Sequence, residues 1–135
     1  MRGQATPYFM YNGNCREALE FYKNTFGGEV SDLQTYEQAG YKVPGAEHLL
    51  IHARFRKDDL FIMASDASPG SSIVIGNNIS LALDFESEEE IQEVYEALRK
   101  NGSVHMELQD TYWGAKYAKV KDAYGISWDL NYQKS

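Results

Sequence analysis

Asn14-Cys15-Arg16-Glu17-Ala18-Leu19-Glu20-Phe21-Tyr22, running on to Gly27-Gly28, and Ser87-Glu88-Glu89-Glu90-Ile91-Gln92-Glu93-Val94-Tyr95, running on to Gly102, share one design. Each opens on a small polar residue able to accept from the first free amides of a helix. A glutamate follows three residues later, which is the capping-box spacing. Ala18, Phe21, Tyr22, Thr25 and Phe26 in the first stretch, and Ile91, Val94, Tyr95 and Leu98 in the second, recur at the three-and-four spacing of one helical stripe. Glycine ends both. One constant offset carries Asn14 onto Ser87, Glu17 onto Glu90, Phe21 onto Val94 and Tyr22 onto Tyr95. Agreement of cap, box and stripe in order is the mark of an internal repeat.

Working outward, the same plan continues. Thr6 to Asn12 is an aromatic-rich strand before the first helix, and Ile79 to Phe85 alternates as a strand before the second. After the first helix the sequence predicts strands at Glu29–Tyr36, His48–Phe55 and Leu60–Ser65, the last two joined by a tight Lys57-Asp58-Asp59 turn. After the second come Ser103–Leu108, Ala115–Lys121, a turn at 122–125, and Ile126–Tyr132. Asp66 to Gly76 is rich in Ser, Pro and Gly, a linker composition. The expectation is one α+β domain over 1–135 made of two βαβββ modules, at about 5–66 and 77–133, with a linker at 67–76. Each sheet has one face for its helix and one left over. Turning the left-over faces toward each other produces a curled mixed sheet around a central cavity.

The composition narrows the function. The chain has 135 residues and a net charge of −7, with 10 Tyr and 6 Phe to furnish strands and pocket walls. An acidic surface repels phosphate backbones, so no nucleic-acid partner is expected. The single cysteine, Cys15, excludes an intrachain disulfide. It falls in the first turn of a helix, where the dipole lowers a thiol pKa, but no His or Lys is placed to activate it, and a plain helix-start residue is the favoured reading. No signal peptide and no span-length apolar run are found, so the expectation is a cytoplasmic protein without a membrane partner.

Further blocks carry a resemblance. Pro7-Tyr8-Phe9-Met10-Tyr11-Asn12-Gly13-Asn14, Glu17-Ala18-Leu19-Glu20-Phe21-Tyr22 and Phe26-Gly27-Gly28 open the chain. His52-Ala53, Met63-Ala64-Ser65-Asp66, Asp110-Thr111-Tyr112-Trp113-Gly114-Ala115 and Asp122-Ala123-Tyr124-Gly125-Ile126-Ser127-Trp128 follow. In this order, over nearly the whole chain, they resemble PhnB-like proteins. These are a branch of the vicinal oxygen chelate superfamily, with glyoxalase I, extradiol dioxygenases and bleomycin-resistance proteins. Ala118 stands where the family usually has Gly. The resemblance implies the glyoxalase-like fold and, commonly, a two-fold homodimer. It implies no particular reaction, because superfamily members isomerise, cleave rings, open epoxides or sequester drugs on one scaffold.

Enzymes of the superfamily hold a divalent metal with His, Gln or Glu from the first and last strands of each module. Here the corresponding positions are Pro7 or Tyr8, Met63, Asn78 or Ser80, and Asp129, of which only Asp129 is a good ligand. If Ile126, Trp128, Leu130 and Tyr132 face the helices, then Ser127, Asp129 and Asn131 face the cavity. Asp129 is then either a ligand or catalytic group, or a satisfied polar residue near a sheet end. His52 lies opposite the Leu49, Ile51, Ala53 and Phe55 face. It is either a general base or metal ligand, or a hydrogen-bonded structural residue. His105 has no nearby partner in sequence. Trp113 either stacks on a ligand, at a cavity lip shared with Tyr112, or plugs the core between modules.

A preserved four-ligand metal site is therefore not expected, and a divalent metal held by His52 and Asp129 is the alternative. No glycine-rich loop argues for nucleotide or S-adenosylmethionine binding, so the methyltransferase label sometimes attached to the family has no support in the sequence. The first expectation is a protein binding a small organic molecule, with Tyr8, His52, Tyr112, Trp113, Asp129 and Asn131 as site residues. A metal-dependent lyase, isomerase or dioxygenase and an antibiotic-sequestering protein are the alternatives.

Overall fold

The structure, a computed structural model, describes residues 1–134. In chain order the elements are β1 (Tyr8–Tyr11), α1 (Cys15–Phe26), β2 (Glu29–Thr35), β3 (Leu50–Lys57), β4 (Leu60–Asp66), β5 (Leu81–Asp84), α2 (Glu88–Leu98), β6 (Ser103–Asp110), β7 (Ala115–Lys121) and β8 (Ser127–Gln133). The chain divides into two compact units, one ending at Val74 and the other starting at Ile75. Each holds one βαβββ module with a four-stranded sheet, ordered β1-β4-β3-β2 in the first and β5-β8-β7-β6 in the second.

The order follows from the connections. In each module the helix carries the chain across one sheet face to the far edge, and two antiparallel steps bring it back. The last strand then lies parallel to the first: Phe9 opposite Ala64 in module one, Leu83 opposite Leu130 in module two. Gly28 and Gly102 serve the same purpose just after the helices. A Cβ at Gly28 would collide with the Arg56 carbonyl, and one at Gly102 with the Lys121 carbonyl, so both chains enter their edge strand in contact with the neighbouring one. Asp58, at φ 52°, makes the β3–β4 hairpin turn, where Asp tolerates the left-handed region.

The core of each module lies between helix and sheet. Tyr11, Phe55, Ile62 and Ala64 bury against Ala18, Leu19 and Tyr22 of α1, and Val120, Trp128 and Leu130 bury beneath Ile91, Val94, Tyr95 and Leu98 of α2. Each large apolar side chain removed from water contributes about 1.5–3 kcal/mol. Among the described residues no helix is long and apolar enough to cross a membrane.

Four details depart from the sequence reading. Ser87 caps α2 as expected, its Oγ accepting from the Glu90 amide at 3.1 Å, with the Glu90 carboxylate reaching back to the Glu86 amide. Asn14 makes no side-chain cap. The α1 start is held instead by Asp66, whose Oδ1 accepts from the Cys15 amide and whose Oδ2 accepts from the Leu50 amide, both at 2.9 Å. Asp66 is thus the buried end of β4 rather than the beginning of a linker. Ile79 lies outside β5 and is exposed. On β3, register shifts against β2 break the strict alternation, so Leu50, Ala53 and Phe55 are buried while Ile51 is only partly covered.

Candidate functional site

The sheet face of module one opposite α1 carries Tyr8 and His52. The imidazole Nδ1 lies 3.1 Å from the Tyr8 hydroxyl, and Nε2 accepts from Arg54 Nε at 3.4 Å. With Nε2 accepting, the hydrogen-bond pattern assigns the ring proton to Nδ1, which donates to Tyr8 Oη. Tyr8 then donates to the Ile51 carbonyl at 3.5 Å. Arg54 also pairs with Asp32 at 3.4 Å. His52 therefore sits in a short chain of hydrogen bonds with both ring nitrogens engaged.

Module two has the richer face. Trp128 and Leu130 are fully buried toward α2, which turns Ser127, Asp129 and Asn131 the other way. Lys119 on β7 is the cross-strand partner of Asp129. Its Nζ donates to Asp129 Oδ2 at 2.9 Å, and the Tyr117 hydroxyl donates to the same oxygen at 2.7 Å. Ser80 also helps to lower the Asp129 carboxyl. The Asp129 side chain is 18% exposed and that of Lys119 43%. Burial by itself raises the Asp129 carboxyl, but the hydrogen bonds and positive charge from Lys119, with the Tyr117 bond, bring it below the usual carboxylate range. Lys119 is raised chiefly by its bond to Asp129, and Tyr117 is raised by burial and by the same carboxylate.

This ion pair borders a cleft of about 340 Å³ within module two. Asn78, Ile79, Ser80 and His105 stand around it, beside the strand positions of Val120 and Trp128, whose own side chains are buried toward α2. Beyond Asp129 runs an aromatic edge: Trp113 meets Tyr117 edge-to-face at 5.8 Å, and Tyr112 meets Trp113 at 5.0 Å. Trp113 is 48% exposed and Tyr112 almost wholly exposed, so Trp113 is not a core plug. Asn131 donates to Asp84 at 3.0 Å. The structure thus groups Tyr8 with His52, and Asp129 with the Trp113–Tyr117 edge. His52 and Asp129 belong to different modules and each has its own partners. Cys15 is fully buried, and desolvation, aided by Asp66 and opposed by Arg16, pushes its thiol up to about 12, which leaves it unreactive.

A family model described as 3-demethylubiquinone-9 3-methyltransferase matches residues 3–131. The chain belongs to this PhnB-like family. It is 29% identical to protein YjdN of Escherichia coli K12 over 96% of this chain and 95% of that one. It is similar to the solved structure of PA1353 from Pseudomonas aeruginosa, with a TM-score of 0.90, 29% identity, and coverage of 99% and 100% of the two chains. It is also similar to a putative 3-demethylubiquinone-9 3-methyltransferase, PhnB protein, from Bacillus cereus, with a TM-score of 0.83, 30% identity, and coverage of 96% and 99%. The architecture is the glyoxalase-like α+β fold of two βαβββ modules, the fold of the vicinal oxygen chelate superfamily.

Members of that superfamily imply a divalent metal, and the PhnB-like residues here do not fit one. Tyr8 is tied to His52 and Ile51, and its register partner Met63 offers only a thioether. Asp129 Oδ2 already receives an ammonium and a phenol. Among the described residues no group of three or more His, Cys, Asp or Glu is arranged to hold a metal ion. Lys119 and Tyr117 are the site residues that sequence reasoning missed. Period-two alternation on β7, against buried Ala118 and Val120, would have placed both on the Asp129 face.

Proposed function

We propose that this PhnB-like protein binds a small polar organic molecule in the module-two cleft, without a structural or catalytic metal. The observation that carries the reading is the Asp129–Lys119 pair at the cleft: the acidic residue in the superfamily's metal position has a cation of its own. Fixed polar groups beside exposed Ile79 and an aromatic edge are the composition of a small-molecule site. The pair's pKa directions favour binding over proton transfer. A carboxylate held low and an ammonium held high are both far from the near-neutral values that suit general acid–base work.

Methyl transfer, named in the family's description, would need a site for a methyl donor. Neither strand-to-helix turn, Asn12-Gly13-Asn14 or Phe85-Glu86-Ser87, has the glycine-rich pattern that cradles a nucleotide-bearing cofactor. A homodimer, implied by the family resemblance, is part of the proposal and is checked by light scattering on the full chain.

The decisive test is elemental analysis of protein purified without a histidine tag and equilibrated with Zn²⁺, Mn²⁺, Ni²⁺ or Fe²⁺. No stoichiometric metal is expected. A stoichiometric ion lost in both Asp129→Ala and His52→Ala overturns the reading in favour of a metal-dependent enzyme.

A further inference from the structure

The cleft sets one ammonium among fixed polar groups, and this bears on what it binds. We propose that its ligand is a small organic oxyanion, a carboxylate or phosphonate on an organic body, received by the Lys119 ammonium that Asp129 and Tyr117 hold in place. This rests on the small-molecule reading of the cleft and names the ligand's chemistry.

An ammonium has three N–H donors, and the Asp129 bond uses one of them. With a side chain 43% exposed, Lys119 keeps an open approach from the cleft. Asp129 is its counter-ion, and Tyr117 on the same oxygen fixes the carboxylate that fixes the lysine. An isolated surface lysine loses much of its attraction to the entropy of holding a long side chain still. Here that ordering is already done by the protein.

The remaining lining points the same way. Asn77 and Asn78 bring amide donors, Ser80 a hydroxyl and His105 an imidazole, while Asp129 is the one carboxylate among the lining residues. Among the lining residues Lys119 is the one lysine or arginine, and its neighbours can donate as well as accept. The lysine thereby supplies what a metal supplies elsewhere on this scaffold: a fixed positive charge against which a ligand oxygen is set. The body of the ligand has exposed Ile79 and the Trp113–Tyr117 edge to lie against.

The test uses the full chain labelled with ¹⁵N and three probes of similar shape: phenylphosphonate, benzamide and benzylamine. Amide shifts mapped to Ser80, Lys119, Ser127 and Asp129 are expected with phenylphosphonate at low salt, weakening as salt is raised. Lys119→Met should weaken that binding about tenfold or more, the loss of one charge-assisted contact, while Lys119→Arg restores part of it. The amide spectrum of each variant, compared with the parent, separates loss of binding from loss of fold. If benzamide or benzylamine shifts the same residues as strongly, or phenylphosphonate binding survives Lys119→Met in a folded variant, the anion inference is overturned while the small-molecule reading stands. If no probe of any charge shifts the cleft residues, both are overturned.

Discussion

Replacing Lys119 with Met removes the ammonium but keeps most of the aliphatic stem, so the change isolates the charge. At the Nζ–Oδ2 separation of 2.9 Å, an effective dielectric constant of about 20 gives a gross attraction of about 6 kcal/mol. Lys119 is nearly half exposed, so water screening and side-chain entropy reduce this to a net of about 1 kcal/mol. Asp129 is mostly covered, and leaving it with the Tyr117 hydroxyl but no cation adds up to about 1 kcal/mol more. The expected loss at neutral pH is therefore about 1–2 kcal/mol. Its pH dependence is the sharper test. In the parent protein the Asp129 pKa is lowered on folding, so its stabilisation is fully present above the unfolded carboxylate value of about 3.9 and is lost as pH falls through the lower folded value. In the variant, burial is no longer offset by the lysine and the Asp129 pKa rises. The stability gap between the two proteins should be widest near neutrality and should close as acid protonates Asp129 in both. Both tryptophans, Trp113 and Trp128, lie in module two, so urea unfolding followed by tryptophan fluorescence reports on the right module. An equal loss at pH 7 and at about pH 3 would refute the argument and assign the effect to packing of the stem.

Other perturbations test the frame around the site. Asp66→Asn keeps one carbonyl oxygen for the two amides of Cys15 and Leu50 and turns an amino group toward the other. Urea denaturation should show a loss of about 2–4 kcal/mol, with faster hydrogen exchange at the start of α1, and a loss under about 0.5 kcal/mol would count against the cap. Ser87→Ala should destabilise module two by about 1 kcal/mol, whereas Asn14→Ala should change module one by less than about 0.5 kcal/mol, because only Ser87 accepts from an amide. Comparable losses in the two variants would mean that Asn14 caps after all.

The repeat was legible because both helices must bury the same kind of stripe against the same kind of sheet. Phe21 and Val94, or Tyr22 and Tyr95, answer to spacing alone. β7 could be bounded from its alternation and its flanking turns, and so could the two-residue turn after Lys57. Features that depend on contacts between distant segments were not legible. Asn14 has the right neighbours for a cap yet makes none, and the first amide of α1, that of Cys15, is held by Asp66, 51 residues away. Leu50 sits on the exposed parity of β3 and is buried, because between the Gln34–His52 and Thr35–Leu50 pairs β3 carries an extra residue, Ile51, which only the pairing with β2 reveals. At the site, alternation placed Asp129 on the correct face, but its partner is chosen by cross-strand register. Reading β8 without β7 yields a bare carboxylate, and a bare carboxylate suggests a metal. The pair suggests the opposite.

The outward faces of the two modules differ at one equivalent pair of positions. Met63 on β4 and Asp129 on β8 occupy equivalent places, each one residue before a buried core position of the central strand, Ala64 or Leu130. Their cross-strand partners on β3 and β7 are Arg54 and Lys119, so both modules set a cation at the equivalent point. In module one that cation faces a thioether. It turns instead to Asp32 and His52, and His52 in turn is held by Tyr8. In module two the cation meets a carboxylate directly across the strand and is fixed beside an open cleft. The helix-facing residues stayed alike under the demand of packing, whereas the outward positions were free to differ. A single difference at the central strand, thioether against carboxylate, matches the two outcomes: Arg54 turns to Asp32 and His52, whereas Lys119 pairs directly with Asp129 beside the cleft.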